Sequence, residues 1–63
     1  MPREMRMKYY QSIRYGHLYI VIGDDVVLVL NGTPVISTLS KEYIEDHEHI
    51  KFKRVEAIEA SEL

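Results

Sequence analysis

Asn31-Gly32 constrains this chain more than any other pair of its residues. Both types tolerate a positive φ, which the type I′ turn of a two-residue β-hairpin demands at both central positions. Val26-Val27-Leu28-Val29-Leu30 precedes the pair and Thr33-Pro34-Val35 comes after it. So short a loop fixes the register, placing Leu30 opposite Thr33, Leu28 opposite Val35 and Val26 opposite Ser37. Val26 to Leu30 is apolar at every position, so both faces of that strand need cover. Pro34 has no N–H to give to a ladder and belongs where its nitrogen faces outward. The strand over 35–39 is therefore expected to start near an edge or beside a bulge.

The rest of the chain reads in the same key. Met5-Arg6-Met7-Lys8-Tyr9 alternates apolar and basic residues, which predicts a strand with odd positions inward and even positions outward. The alternation weakens at Tyr10-Gln11-Ser12 and resumes at Ile13-Arg14-Tyr15, as a bulge or bend in one long strand would make it. Gly16 supplies a turn. His17 to Ile22 is rich in β-branched and aromatic side chains and predicts a second strand. Gly23-Asp24-Asp25 is a tight turn. Ser40 to His47 reads as a short helix, with Ser40 as N-cap, Glu42 and Glu45 in its N-terminal half, and Tyr43, Ile44 and His47 pinning it to the sheet. Ile50 to Val55 predicts a last strand, with Ile50 and Phe52 inward and Lys51 and Lys53 outward. Val55 falls out of that phase, which a bulge near Arg54 or a short helix over 55–60 explains.

The expected fold class is mainly β, a single domain over residues 1–63. Four meandering strands are followed by a helical turn and a final strand. This is a small five-stranded antiparallel meander or, because a short helix before the last strand is the arrangement of SH3-like barrels, a barrel of that kind. The analogy fixes no function. The meander alternative is an open sheet that pairs across a dimer. With 63 residues, folding buries only about 60% of the surface exposed by the unfolded chain. Small domains offset that shortfall with disulfides, a metal or self-association. Cysteine is absent, which removes disulfides and thiolate metal sites and leaves homo-oligomerisation as the expected device.

Composition excludes some classes of function. With 46% hydrophobic and 29% charged residues the chain is too apolar to be disordered. The apolar run from Leu18 to Leu30 is cut by Gly23-Asp24-Asp25, and neither half approaches the roughly 20 residues of a membrane span. Met1 to Lys8 is basic but no apolar segment comes after it, so no signal peptide and no membrane partner are expected and the cytoplasm is the default location. Net charge is −2, which argues against nonspecific nucleic-acid binding. The charge is unevenly spread. Arg3, Arg6, Lys8 and Arg14 face only Glu4 in the first third of the chain. Glu42, Glu45, Asp46, Glu48, Glu56, Glu59 and Glu62 outnumber the cations of the last third. Ordinary solvated surface accounts for this, and head-to-tail association or a charged partner is the sharper alternative.

No catalytic constellation emerges. Asp46-His47-Glu48-His49 has metal-ligand character, and His17 with a carboxylate would have to complete the site. The pattern lacks a full ligand set, and a polar connector with His47 at a helix C-terminus explains it. Asp24 and Asp25 are turn formers without the burial that separates the pKa values of a working acid pair. Ser12, Ser37, Ser40 and Ser61 lack a nucleophile setting, and the three glycines are not grouped into a phosphate loop. No enzyme activity, no metal and no cofactor are expected.

Two binding readings remain. The first is a non-enzymatic protein–protein interaction module, self-associating, that acts as an accessory or regulatory factor or as an inhibitor of phage or plasmid type. Tyr10, Tyr15 and Tyr19 are its contact residues, since tyrosine is enriched at interfaces. The alternative is a small RNA- or DNA-binding domain using Lys8, Arg14, Lys51, Lys53 and Arg54 among aromatics. If first and last strands are adjacent, Arg6, Lys8, Lys51 and Lys53 are expected to share one outward face.

Overall fold

A computed structural model of the chain describes residues 7–61. Asn31 has φ 52° and Gly32 φ 79°, the left-handed values the turn requires. β3 (Asp25–Leu30) pairs with β4 (Thr33–Ile36) in the expected register, Leu30 with Thr33 and Leu28 with Val35, and the Ser37 N–H donates to the Val26 carbonyl at 3.2 Å. Thr33 and Ser37 occupy hydrogen-bonded positions of this ladder, so Pro34 falls on the alternate, outward-facing set. β4 is an edge strand, and Pro34 blunts that edge. It is shorter than 35–39 because the Ser37 Oγ accepts the Leu39 N–H at 2.9 Å and turns the chain out of the sheet.

β1 (Met7–Ser12) pairs with β2 (Leu18–Ile22), β2 pairs with β3 across the Gly23-Asp24 turn, and β5 (Phe52–Val55) returns antiparallel beside β1. The sheet order is β4-β3-β2-β1-β5. It is an open five-stranded antiparallel sheet rather than a closed SH3-like barrel, with β4 and β5 at its edges. The first and last strands are neighbours.

A helix packs on each face. α1 (Lys41–Asp46) is capped by the Ser40 Oγ, which accepts the Tyr43 N–H at 3.1 Å. It drives Ile44 into a core with Tyr10, Val21, Val26 and Phe52, and Leu39, Tyr19 and Tyr43 close over that cluster. α2 (Ala57–Ala60) covers the other face, where Ala60 meets Leu18 and Val55 with Tyr9, Ile20 and Val29 around them. The Glu59 carboxylate accepts the Glu56 N–H at 3.1 Å and fixes the start of α2.

Two helices on two faces correct the reading of β1. Tyr10 and Ser12, at even positions, are buried, and Tyr9 is half-buried under α2. A strand covered on both sides has no wet face for alternation to report. Lys8 stays solvated at the end of the α1 face, 3.6 Å from Glu45. β1 does not continue as a bent strand through Ile13-Arg14-Tyr15. Those residues form the turn into β2 that Gly16, at φ 73°, completes. Met5 and Arg6 lie outside the described residues. Ile50 is exposed rather than inward, because β5 starts only at Phe52. The phase shift at Val55 is the work of α2: Phe52 is buried against the α1 side and Val55 against α2. Among the described residues no helix is long and apolar enough to cross a membrane.

Candidate functional site

The β1–β2 loop and the chain entering β5 meet on the α1 side of the sheet. The Ile13 N–H donates to the Lys51 carbonyl at 2.9 Å and ties the two together. The loop is held from within. Ser12 and His17 bond across its base at 2.8 Å, the Gly16 N–H reaches the Ser12 carbonyl at 2.7 Å, and the Ser12 Oγ accepts the Tyr15 N–H at 3.2 Å. Ser12 is buried, and this bond to Tyr15 is what makes a hydroxyl tolerable there. The approach to β5 is wound around one acceptor: the His47 carbonyl receives the N–H groups of Ile50, Lys51 and Phe52. His49 adopts φ 72° within that turn.

Between these segments lies a cleft of about 400 Å³. Ser12, Ile13, Arg14 and Tyr15 form one wall. Ile50, Lys51 and Phe52 line it from the neighbouring segment, and Tyr19, Leu39 and Tyr43 complete the lining. The aromatic side chains are packed against one another. Tyr19 meets Phe52 edge to face at 5.4 Å, and Tyr43 meets Phe52 the same way at 6.2 Å. His47 stacks on Tyr43 at 4.2 Å, with its Nδ1 2.7 Å from the Tyr43 carbonyl. The Lys51 ammonium donates to the Tyr43 hydroxyl at 3.0 Å and sits 5.6 Å from its ring centroid. Arg14 lies over Tyr15 at 5.4 Å. Burial pushes the Tyr19 hydroxyl above its ordinary pKa, with Tyr43 adding to the effect, so Tyr19 stays neutral at neutral pH.

The structure separates the residues that the sequence suggested together. Tyr15 and Tyr19 line the cleft, but Tyr10 is only 1% exposed and is part of the core rather than a contact surface. Of the cations, Arg14 and Lys51 are brought together at the cleft. Lys8 stands beside Glu45, and Arg54 lies over the Tyr10 ring at 5.7 Å on the β5 edge. Lys53 pairs with Gln11 across the strands and so projects from the α2 face. The single basic face expected for Lys8, Lys51 and Lys53 does not form, because Lys8 lies on the α1 face of β1, Lys53 on the α2 face of β5, and Lys51 precedes that strand. Arg6 lies outside the described residues.

Sequence reasoning missed Ile13, Ile50 and Tyr43 as cleft residues. The available signal was the Asp-His-Glu-His stretch, whose left-handed turn at His49 carries Ile50 out of the strand. His47 and His49 do not act as a strand pair either: His47 caps α1, and the His49 Nε2 lies 3.6 Å from Glu48 on the surface. Among the described residues no three His, Asp or Glu side chains converge on a point.

A second surface lies on the α2 face, away from α2. One cross-sheet row there runs Ile36, Val27, Ile20, Tyr9, Val55, apolar at every strand. Cover fades along it: Val55 is buried, Tyr9, Ile20 and Val27 are half-buried, and Ile36 is 91% exposed. Every residue of β4 is exposed. No family model matches the chain, and no curated protein and no solved structure is significantly similar to it.

Proposed function

We propose that the chain is a non-enzymatic protein–protein interaction module that self-associates through the α2-side face of the β3–β4 hairpin and serves as an accessory or regulatory factor in the cytoplasm. The bare end of the apolar row carries this reading. Fully burying an isoleucine side chain stabilises by about 1.5–3 kcal/mol, and Ile36 forgoes nearly all of it in the isolated chain. A second copy that covers Ile36, Pro34 and Val27 supplies the partner face that β3, apolar on both sides, requires. The opposed charges of the two chain ends are compatible with such an assembly but do not specify it.

Analytical ultracentrifugation over a wide concentration range tests the proposal. A concentration-dependent dimer is expected, and Ile36→Lys is expected to convert it to monomer without loss of secondary structure. A wild-type protein that sediments as monomer at every concentration removes self-association from the reading. The nucleic-acid alternative has lost its shared basic face and keeps only Arg14 and Lys51 as neighbours. It still predicts salt-sensitive oligonucleotide binding that Lys51→Ala weakens.

A further inference from the structure

Among the described residues, the cleft between the β1–β2 loop and the approach to β5 is lined by two cations and no carboxylate, in a chain with ten acidic and eight basic residues. Neither Arg14 nor Lys51 is within ion-pair distance of a carboxylate among the described residues, whereas Lys8 and Lys41 each have one. The cleft is also rimmed by apolar side chains that the fold leaves out: Ile13, Ile50 and Tyr15 are all exposed. Exposed aliphatic groups flanked by unpaired cations call for an occupant that is apolar at its centre and anionic at its edge. The volume, about 400 Å³, lies at the small end of ligand sites and suits one or two side chains rather than a long polymer tract.

From this we infer that the cleft is a docking site for an acidic peptide segment of another protein, with one aliphatic or aromatic anchor seated between Ile13 and Ile50 and its flanking carboxylates paired with Arg14 and Lys51. The inference rests on reading the chain as an interaction module, but it is independent of self-association, which uses the opposite face of the sheet. The packing favours a peptide over single-stranded nucleic acid. Base stacking needs open ring faces, and two of the three tyrosine rings of the cleft are packed within the fold: Tyr43 stacks on His47 and Tyr19 meets Phe52 edge to face, which leaves Tyr15, beside Arg14 and His17, as the one exposed ring. A strand of nucleic acid also needs a run of phosphate contacts, and Lys53 projects from the other face.

The test is a titration of the isotope-labelled full chain, monitored by amide NMR shifts, with four probes. These are a short peptide with a Leu-Phe pair between aspartates, the same peptide with lysines replacing the aspartates, the same with serines, and a short oligothymidylate. The acidic peptide is expected to shift residues 12–15 and 50–52 with a Kd in the micromolar range. Arg14→Glu is expected to weaken it about tenfold or more, since it turns one attraction into a repulsion. Ile50→Ser should also weaken it, and serine- and lysine-flanked peptides should bind more weakly than the acidic one.

Equal binding of all three peptides overturns the assignment of the cleft to acidic partners. Stronger binding of the oligonucleotide at the same amides assigns the cleft to nucleic acid and overturns the proposal. Shifts from the acidic peptide confined to β4 overturn the placement. Absence of any shift from the acidic peptide, in a protein whose sedimentation still shows a dimer broken by Ile36→Lys, removes the cleft inference and leaves self-association standing. Arg14 lies in the exposed loop, and circular dichroism of Arg14→Glu separates lost binding from lost folding.

Discussion

Val55 and Ile36 end the same cross-sheet row, one on each edge strand, and Val55 is 6% exposed while Ile36 is 91% exposed. Both are β-branched and both point to the α2 side. The difference lies in the segment that succeeds each residue in the chain. Val55 leads at once into α2, which folds back and delivers Ala60 onto the same patch. Ile36 leads into Ser37, whose hydroxyl turns the chain toward the α1 side and leaves the α2 side bare. The part of the sheet containing β5, β1 and β2 is thus enclosed between two helices, β3 is covered in part, with Val26 in the α1-side core, and β4 extends beyond with every residue exposed. Buried packing is concentrated in the first part, and the strand left wholly exposed, β4, lies in the second.

Substitutions in the two halves probe this contrast. Ile44 is fully buried at the centre of the enclosed half, and Ile44→Ala is expected to destabilise by about 3 kcal/mol. A chain of this length has only a few kcal/mol to lose, so the variant should be close to unfolded in a urea titration. A midpoint shift no larger than that of an Ile36 variant would undo the contrast at its strongest point. Next comes Gly32→Ala. No atom lies within 4 Å of the added methyl, so the φ of +79° is the only obstacle. The left-handed conformation is expected to cost about 1–2 kcal/mol, read as a lower melting temperature with β5 and α1 still native in NMR spectra. Ser40→Ala removes the cap that aims α1 at the sheet, with an expected loss of about 1 kcal/mol.

Alkaline pH addresses the enclosed half without mutation. Burial raises the Tyr10 hydroxyl above its ordinary value of 10.0, with Glu48 and Glu45 adding and Arg54 opposing, and burial likewise raises Tyr19. The folded state therefore holds these protons more tightly than the unfolded state. The resulting stability is fully present below pH 10.0 and is lost as pH rises through the folded values. Denaturation midpoints should fall above that pH, and less so in Tyr10→Phe. An unchanged pH dependence in Tyr10→Phe would exclude Tyr10 as a contributor. The smallest effect belongs to the open half: Ile36→Ser, measured where the protein is monomeric, should change stability by less than about 0.5 kcal/mol while abolishing association.

The legibility of the fold tracked the range of the interactions that decide it. Asn31-Gly32 is a local conformational demand, and the register it implies is the one found. Ser40 as a cap, and the helix before the last strand, are equally local. The faces of β1 were misread because Lys8 beside Tyr9 and Tyr10 looks half-wet in isolation. Whether Tyr9 or Tyr10 is the more deeply buried depends on which helix lies over it, and those helices come more than thirty residues later. The candidate site divided in the same way. The sequence offers Tyr15 and Tyr19 for protein contact and Arg14 and Lys51 for the nucleic-acid alternative. That they meet in one cleft, while Tyr10 goes into the core and Lys53 to the other face, depends on the pairing of β1 with β5.

Residue order alone specified a cysteine-free chain of short strands, one hairpin of defined register, a capped helical turn, and a third strand too apolar to be left uncovered. Turn chemistry, capping and side-chain period act over a few residues and are written where they act. Long-range packing settled the rest: that the sheet stays open, that cover comes from two helices on opposite faces, and that this cover ends before β4. Those outcomes depend on how far α1 and α2 reach across the strands, a length and a direction that no single stretch of residues encodes.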